Sequence, residues 1–138
     1  MKKLIGADAH AKKLRAIRDI ESETVQNLLT VGELIRQEAM ESIRNGTIRG
    51  LGHIPSLPGQ PPKGDTGRLE LGISVELRAS EKRADVVSRA PHAMAMEMGT
   101  PTVAARPYLR PAAAKHRSQL AILTAATVSG KLGRVKKY

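Results

Sequence analysis

A chain of 138 residues has room for one modest core, and 41% hydrophobic with 26% charged residues is ordinary for a globular protein. The absence of cysteine excludes disulfides, thiolate metal sites and cysteine nucleophiles, and two Tyr with no Phe or Trp leave no aromatic platform for stacking on bases. The net charge of +10 is uneven: residues 101–138 hold eight basic residues and no acid, whereas the first 100 hold 15 basic residues and all 13 acids. A near-neutral body with a basic C-terminal third suits contact with nucleic acid or an acidic protein surface.

The opening Met1-Lys2-Lys3-Leu4-Ile5 begins like a secretory signal, but Asp8 and His10 cut the apolar run short, so the cytoplasm is the expected place of synthesis. No run approaches the roughly 20 apolar residues of a membrane span. A short basic helix is predicted over about 8–19, on Ala11, Leu14 and Ile17. A second, clearer helix is predicted from Ser22 to Asn45, where Val25, Leu28, Leu29, Gly32, Ile35, Ala39 and Ile43 recur on one face, Ser22 serves as N-cap and Asn45-Gly46 as the stop.

Residues 46–67 carry six glycines and four prolines, which no helix or ladder strand tolerates. An irregular stretch this long in a small domain reads as an arm reaching a neighbour, or as an insertion ordered only on assembly. From Arg68 to Arg78 the sequence alternates, with Leu69, Leu71, Ile73, Val75 and Leu77 on one side and Arg68, Glu70, Gly72, Ser74, Glu76 and Arg78 on the other. That is the signature of a strand with one buried face. After a polar turn at 79–82, a second strand over about 83–89 should pair with the first as an antiparallel hairpin. A short helix is expected within 91–98, a loop over 99–107, and a last helix over 111–128 with Ala112, Leu120, Leu123 and Ala126 inward. The fold class is α+β, helices on a small antiparallel sheet with a long Pro/Gly-rich loop. One domain spans 1–128 with the extended loop 46–67, and 129–138 is a basic flexible tail.

Catalytic patterns are missing. His10, His53, His92 and His116 keep no helical spacing with each other or with carboxylate pairs, no G-x-S-x-G surrounds Ser56 or Ser74, and Thr66-Gly67 follows no phosphate-loop motif. No catalytic, cofactor or metal residue is assigned. Glu97, set in the apolar run Met94-Ala95-Met96-Glu97-Met98, needs a partner if it is partly buried, and Arg106 is the nearest candidate.

Two segments resemble one family. The first is Ser56-Leu57-Pro58-Gly59-Gln60-Pro61-Pro62 followed by Thr66-Gly67-Arg68-Leu69; the second is Glu97-Met98-Gly99-Thr100 followed by Ala105-Arg106-Pro107-Tyr108-Leu109-Arg110-Pro111-Ala112. Together they are similar to the S-x-P-G-x-P-P, T-G-x-L, E-x-G-T and A-R-P-[FY]-[LM]-x-P-A motifs of the tail-component proteins of long-tailed double-stranded DNA bacteriophages, which act at the neck in head–tail joining and tail completion. The chain departs from that pattern in having His92 where the family has Tyr and Met98 where it has an aromatic residue.

The resemblance implies a structural virion protein, not an enzyme, without cofactor, metal or membrane contact, made in the bacterial host. It implies a ring of identical copies, sixfold like the tail, between the head-completion (connector) proteins and the tail terminator or tail tube. On that expectation the subunit interface draws on Pro58, Gly59, Pro61, Pro62, Thr66, Gly67, Glu97, Gly99, Thr100, Arg106, Pro107 and Tyr108, with Glu97 and Arg106 paired. A basic contact surface draws on Arg110, Lys115, Arg117, Lys131, Arg134, Lys136 and Lys137, facing passing genomic DNA or an acidic ring. The alternative, from charge alone, is a small basic protein binding nucleic acid without sequence preference.

Overall fold

The computed structural model describes residues 6–135 of the chain, with side chains over 6–132. Four helices pack with a two-stranded antiparallel sheet, an α+β arrangement. In chain order these are α1 (Ala7–Arg44), α2 (Arg68–Leu71), β1 (Ile73–Arg78), β2 (Arg83–Ser88), α3 (Ala93–Met98) and α4 (Leu109–Val135).

The two helices expected at 8–19 and 22–45 are one helix of 38 residues. Ser22 caps nothing and lies exposed in its middle. No Gly or Pro interrupts the join, and the hydroxyls of Thr24 and Thr30 donate back to the carbonyls of Ile20 and Gln26 within the helix. The helix stops where expected: Asn45 is extended, Gly46 takes φ +68, and the Thr47 hydroxyl donates to the orphaned Ile43 carbonyl at 2.6 Å.

The predicted strand loses its first five residues, 68–72. Gly67, left-handed at φ +80, starts a single helical turn, closed by Leu71 N–H donating to Gly67 O and Gly72 N–H to Arg68 O. Leu69 enters the core while Leu71 is 77% exposed, so these two leucines do not share a face. The remainder, Ile73–Arg78, is a strand, with Ile73 buried and residues 74–77 half-buried. Register pairs Ile73 with Ser88, Val75 with Val86 and Leu77 with Ala84, and Arg78 with Arg83 at the turn. The inner face lies on α1 at Gly32, where a Cβ would stand 2.8 Å from Val75 Cγ1, so the missing side chain sets the approach of hairpin to helix.

α4 runs antiparallel to α1. Lys115 Nζ meets Glu38 at 2.8 Å, Asn27 Nδ2 donates to Thr127 Oγ1 at 3.1 Å, and Lys131 Nζ meets Glu23 at 2.7 Å. It starts two residues before Pro111 and continues to Val135, so residues 129–135 are helical rather than a frayed tail, and residues 136–138 lie outside the described residues. Leu123 and Ala126 are exposed instead of inward. The core gathers Ala39, Ile43, Leu69, Ile73, Ala93, Ala112 and Tyr108. Tyr108, 1% exposed, is an aromatic member of this otherwise aliphatic cluster.

Candidate functional site

Three of the four motif segments are joined by hydrogen bonds around the N-terminus of α4, and Leu69 of the fourth enters the same core as Tyr108. Glu97, at the end of α3, accepts hydrogen bonds from three backbone N–H groups: Tyr108 at 2.8 Å and Leu109 at 3.0 Å on Oε2, and Arg110 at 2.9 Å on Oε1. A carboxylate there satisfies donors that the first turn leaves unpaired and opposes the positive end of the helix dipole. The expected Glu97–Arg106 pair is therefore replaced. Arg106 Nε donates to Ser56 O at 3.1 Å, its Nη1 to Ala104 O at 3.3 Å, and its N–H to Met96 O at 2.6 Å. The Arg106 side chain thus holds the proline-rich loop, while Glu97 holds the helix.

The loop closes on the body instead of extending as an arm. Gly59 N–H donates to Ala105 O at 2.9 Å and Gly64 N–H to Ile43 O at 3.4 Å, while bonds from Gly64 N–H to Thr47 Oγ1 at 3.1 Å and from Gly50 N–H to Asp65 Oδ1 at 3.2 Å fold the loop on itself. Arg49 reaches Glu70 Oε1 at 2.8 Å; Glu70 is 1% exposed, and its Oε2 has no hydrogen-bond partner. A Cβ on Gly64 would stand 2.9 Å from that oxygen, so only glycine fits beside the buried carboxylate. The alternation reading placed Glu70 outward with Arg68. The glycines at 67 and 72, which bracket a separate turn, are the sequence signal for its burial.

The twelve expected interface residues divide by burial. Pro62, Gly67 and Tyr108 are buried; Pro61, Glu97, Gly99, Arg106 and Pro107 are half-buried; Pro58, Gly59, Thr66 and Thr100 are exposed. Tyr108 donates its hydroxyl to Ser88 Oγ at 2.9 Å; burial above all, aided by the Glu97 charge, pushes its phenol up from the ordinary value. Gly99 takes φ +76, and a Cβ there would stand 2.9 Å from Ala105 N, while Thr100 Oγ1 accepts from Val103 N–H at 3.0 Å. Pro62, Thr66 and Gly67 line a shallow groove of about 380 Å³ with Lys63, Leu69, His92 and Met96.

The expected basic surface is partly committed to the fold. Lys115 joins Glu38, whose carboxyl the Lys115 hydrogen bond draws below its ordinary value, and Lys131 joins Glu23 and, at 3.8 Å, Asp19. Arg110 and Arg117 are exposed, the side chain of Arg134 is not described, and Lys136 and Lys137 lie outside the described residues. Among the described residues no three His, Asp or Glu converge as metal ligands, and no helix is long and apolar enough to cross a membrane. Set beside known proteins, the chain matches no family model, no curated protein and no solved structure.

Proposed function

We propose that this chain is a non-enzymatic structural subunit of a phage-like particle, assembling as a ring where the DNA-filled head joins the tail. The observation that carries the reading is the outer surface of the pinned loop. Ile48, Leu51, Ile54 and Leu57 are 53, 112, 59 and 67% exposed, on a segment tied to the body at Arg49, Ser56, Gly59 and Gly64. Clustered apolar side chains held outward on a fixed loop suit a surface that a neighbouring subunit covers. The open outer edges of the two-stranded sheet offer a second means of joining copies. The motif resemblance supplies the location, and a head-to-tail contact whose rotation closes supplies the ring.

Deleting the gene from its parent phage or prophage and imaging lysates by negative stain tests this. The expected result is DNA-filled heads beside separate, unjoined tails. Normal infectious particles would overturn it.

A further inference from the structure

The sequence divides its charge into three parts. Residues 1–18 hold six basic residues and one acid, residues 129–138 hold four basic residues and no acid, and residues 19–128 hold 13 basic and 12 acidic residues. Nine of the ten net positive charges therefore belong to the two end segments. The antiparallel pairing of α1 and α4 brings the described parts of these segments to the same end of the molecule, which neither segment reveals alone.

The contacts Glu38–Lys115, Asn27–Thr127 and Glu23–Lys131 keep one register. Continued along the helices, that register sets Val135 opposite Arg18. The first turns of α1, residues 7–17, thus run on past the last described residue of α4, by about 16 Å at 1.5 Å per residue. The hairpin ends short of this end as well, with Lys82 at its turn meeting Glu21 at 3.1 Å. The nearest acids of α1, Asp19, Glu21 and Glu23, are all engaged by Lys131 or Lys82. Lys12, Lys13, Arg15 and Arg18 are exposed, and Asp8 is the single acid of the overhang.

We propose that this overhanging end of α1 is a docking surface for double-stranded DNA, held through its phosphates without sequence preference. At 100° per residue the four cations stand at about 0, 100, 300 and 240° around the helix, so they span an arc of about 220°, and Leu14 and Ile17 occupy the remaining side. A planar acidic surface would meet only one side of such a helix, whereas a groove places phosphates on both sides. The B-form major groove, about 12 Å wide, admits an α-helix, and the deep, narrow major groove of duplex RNA does not. Leu14 and Ile17 are the only exposed large apolar side chains of the overhang, too narrow a strip for a helix lying in a membrane interface. With no aromatic residue among 6–18, binding rests on charge and carries no base-stacking preference.

The inference extends the junction reading, where DNA passes, but it is measured on the purified full chain, so either can fail without the other. Binding to a fluorescent duplex of mixed sequence is followed by anisotropy across a salt series. The wild-type chain should bind in the range of ~1–100 µM and weaken steeply with salt. Replacing Lys12, Lys13, Arg15 and Arg18 together by Gln should flatten the slope of log affinity against log salt by about 3 to 4, near 0.9 for each phosphate no longer neutralised. Gln is a good helix former at exposed positions, and unchanged circular dichroism would show the fold intact. The pair Arg110→Gln and Arg117→Gln, at the opposite end of α4, should leave the slope unchanged. The proposal is overturned if the fourfold variant keeps the wild-type slope, if the Arg110/Arg117 variant loses binding equally, or if phosphatidylserine vesicles bind more tightly than the duplex.

Discussion

Glu97 gathers in one carboxylate the work that a helix usually divides among a cap and several waters. Its three hydrogen bonds reach consecutive N–H groups from another element, so they fix both the start of α4 and the angle at which α3 meets it. Replacing Glu97 by Gln keeps the shape but removes the charge and turns an amide N–H₂ toward N–H donors. The expected cost is about 1.5–3 kcal/mol, read as a lower urea midpoint at unchanged m-value. The acid in the E-x-G-T motif was legible as a residue in need of a partner; its partner was not. Sequence proximity favours Arg106, but three backbone donors that appear only once α4 has formed satisfy the carboxylate better than one side chain. Tyr108 was obscured in the same way, because a lone aromatic with a hydroxyl gives no periodic signal and its Ser88 partner lies on β2.

At the level of elements, the hairpin was readable because alternation and turn residues are local properties. The errors fall where local pattern and long-range packing disagree. Arg68–Leu71 satisfies the alternation only by accident of having leucines at 69 and 71; Gly67 then permits a turn that carries Glu70 inward. Ser22 looked like a cap because it stands between two apolar patterns, yet α4 lying alongside supplies the contacts that carry the helix through. Gly32 belongs to the same level. Alanine there gains about 1 kcal/mol of helix propensity but sets a methyl against Val75, so Gly32→Ala should lie near neutral. Gly32→Leu cannot be accommodated and should lower the thermal midpoint by the equivalent of about 2–3 kcal/mol, with faster amide exchange in β1 and β2 as the hairpin lifts from α1.

Across the whole molecule, the long interface between α1 and α4 is stitched by polar pairs more than by a wide apolar seam: Glu38 with Lys115, Asn27 with Thr127, Glu23 with Lys131. Such pairs depend on pH in a definite direction. The folded state lowers the Glu38 carboxyl, chiefly through the Lys115 hydrogen bond, so this pair stabilises fully above the ordinary carboxylate value of about 4.3 and is lost as pH falls through the lowered one. The stability difference between the wild-type chain and Lys115→Ala should therefore be constant at neutral pH and shrink toward zero in acid, measured by urea unfolding across a pH series. A difference that stayed constant into strong acid would assign Lys115 a packing role instead. Reading the C-terminal third as basic holds for its charge, but composition does not say which cations a neighbouring helix engages, and Lys115 and Lys131 pair with Glu38 and Glu23 of α1.

One consequence follows from α1 being a single uninterrupted rod. Its C-terminal half forms the floor beneath the hairpin and the proline-rich loop, while its N-terminal turns carry the basic overhang. A break at Ser22 would have made these two ends jointed limbs. Without it they turn together, as the two arms of a lever about 57 Å long. In a closed ring of identical copies, any tilt of the subunit would swing every basic tip by the same angle, so the bore enclosed by those tips would widen or narrow as an iris does.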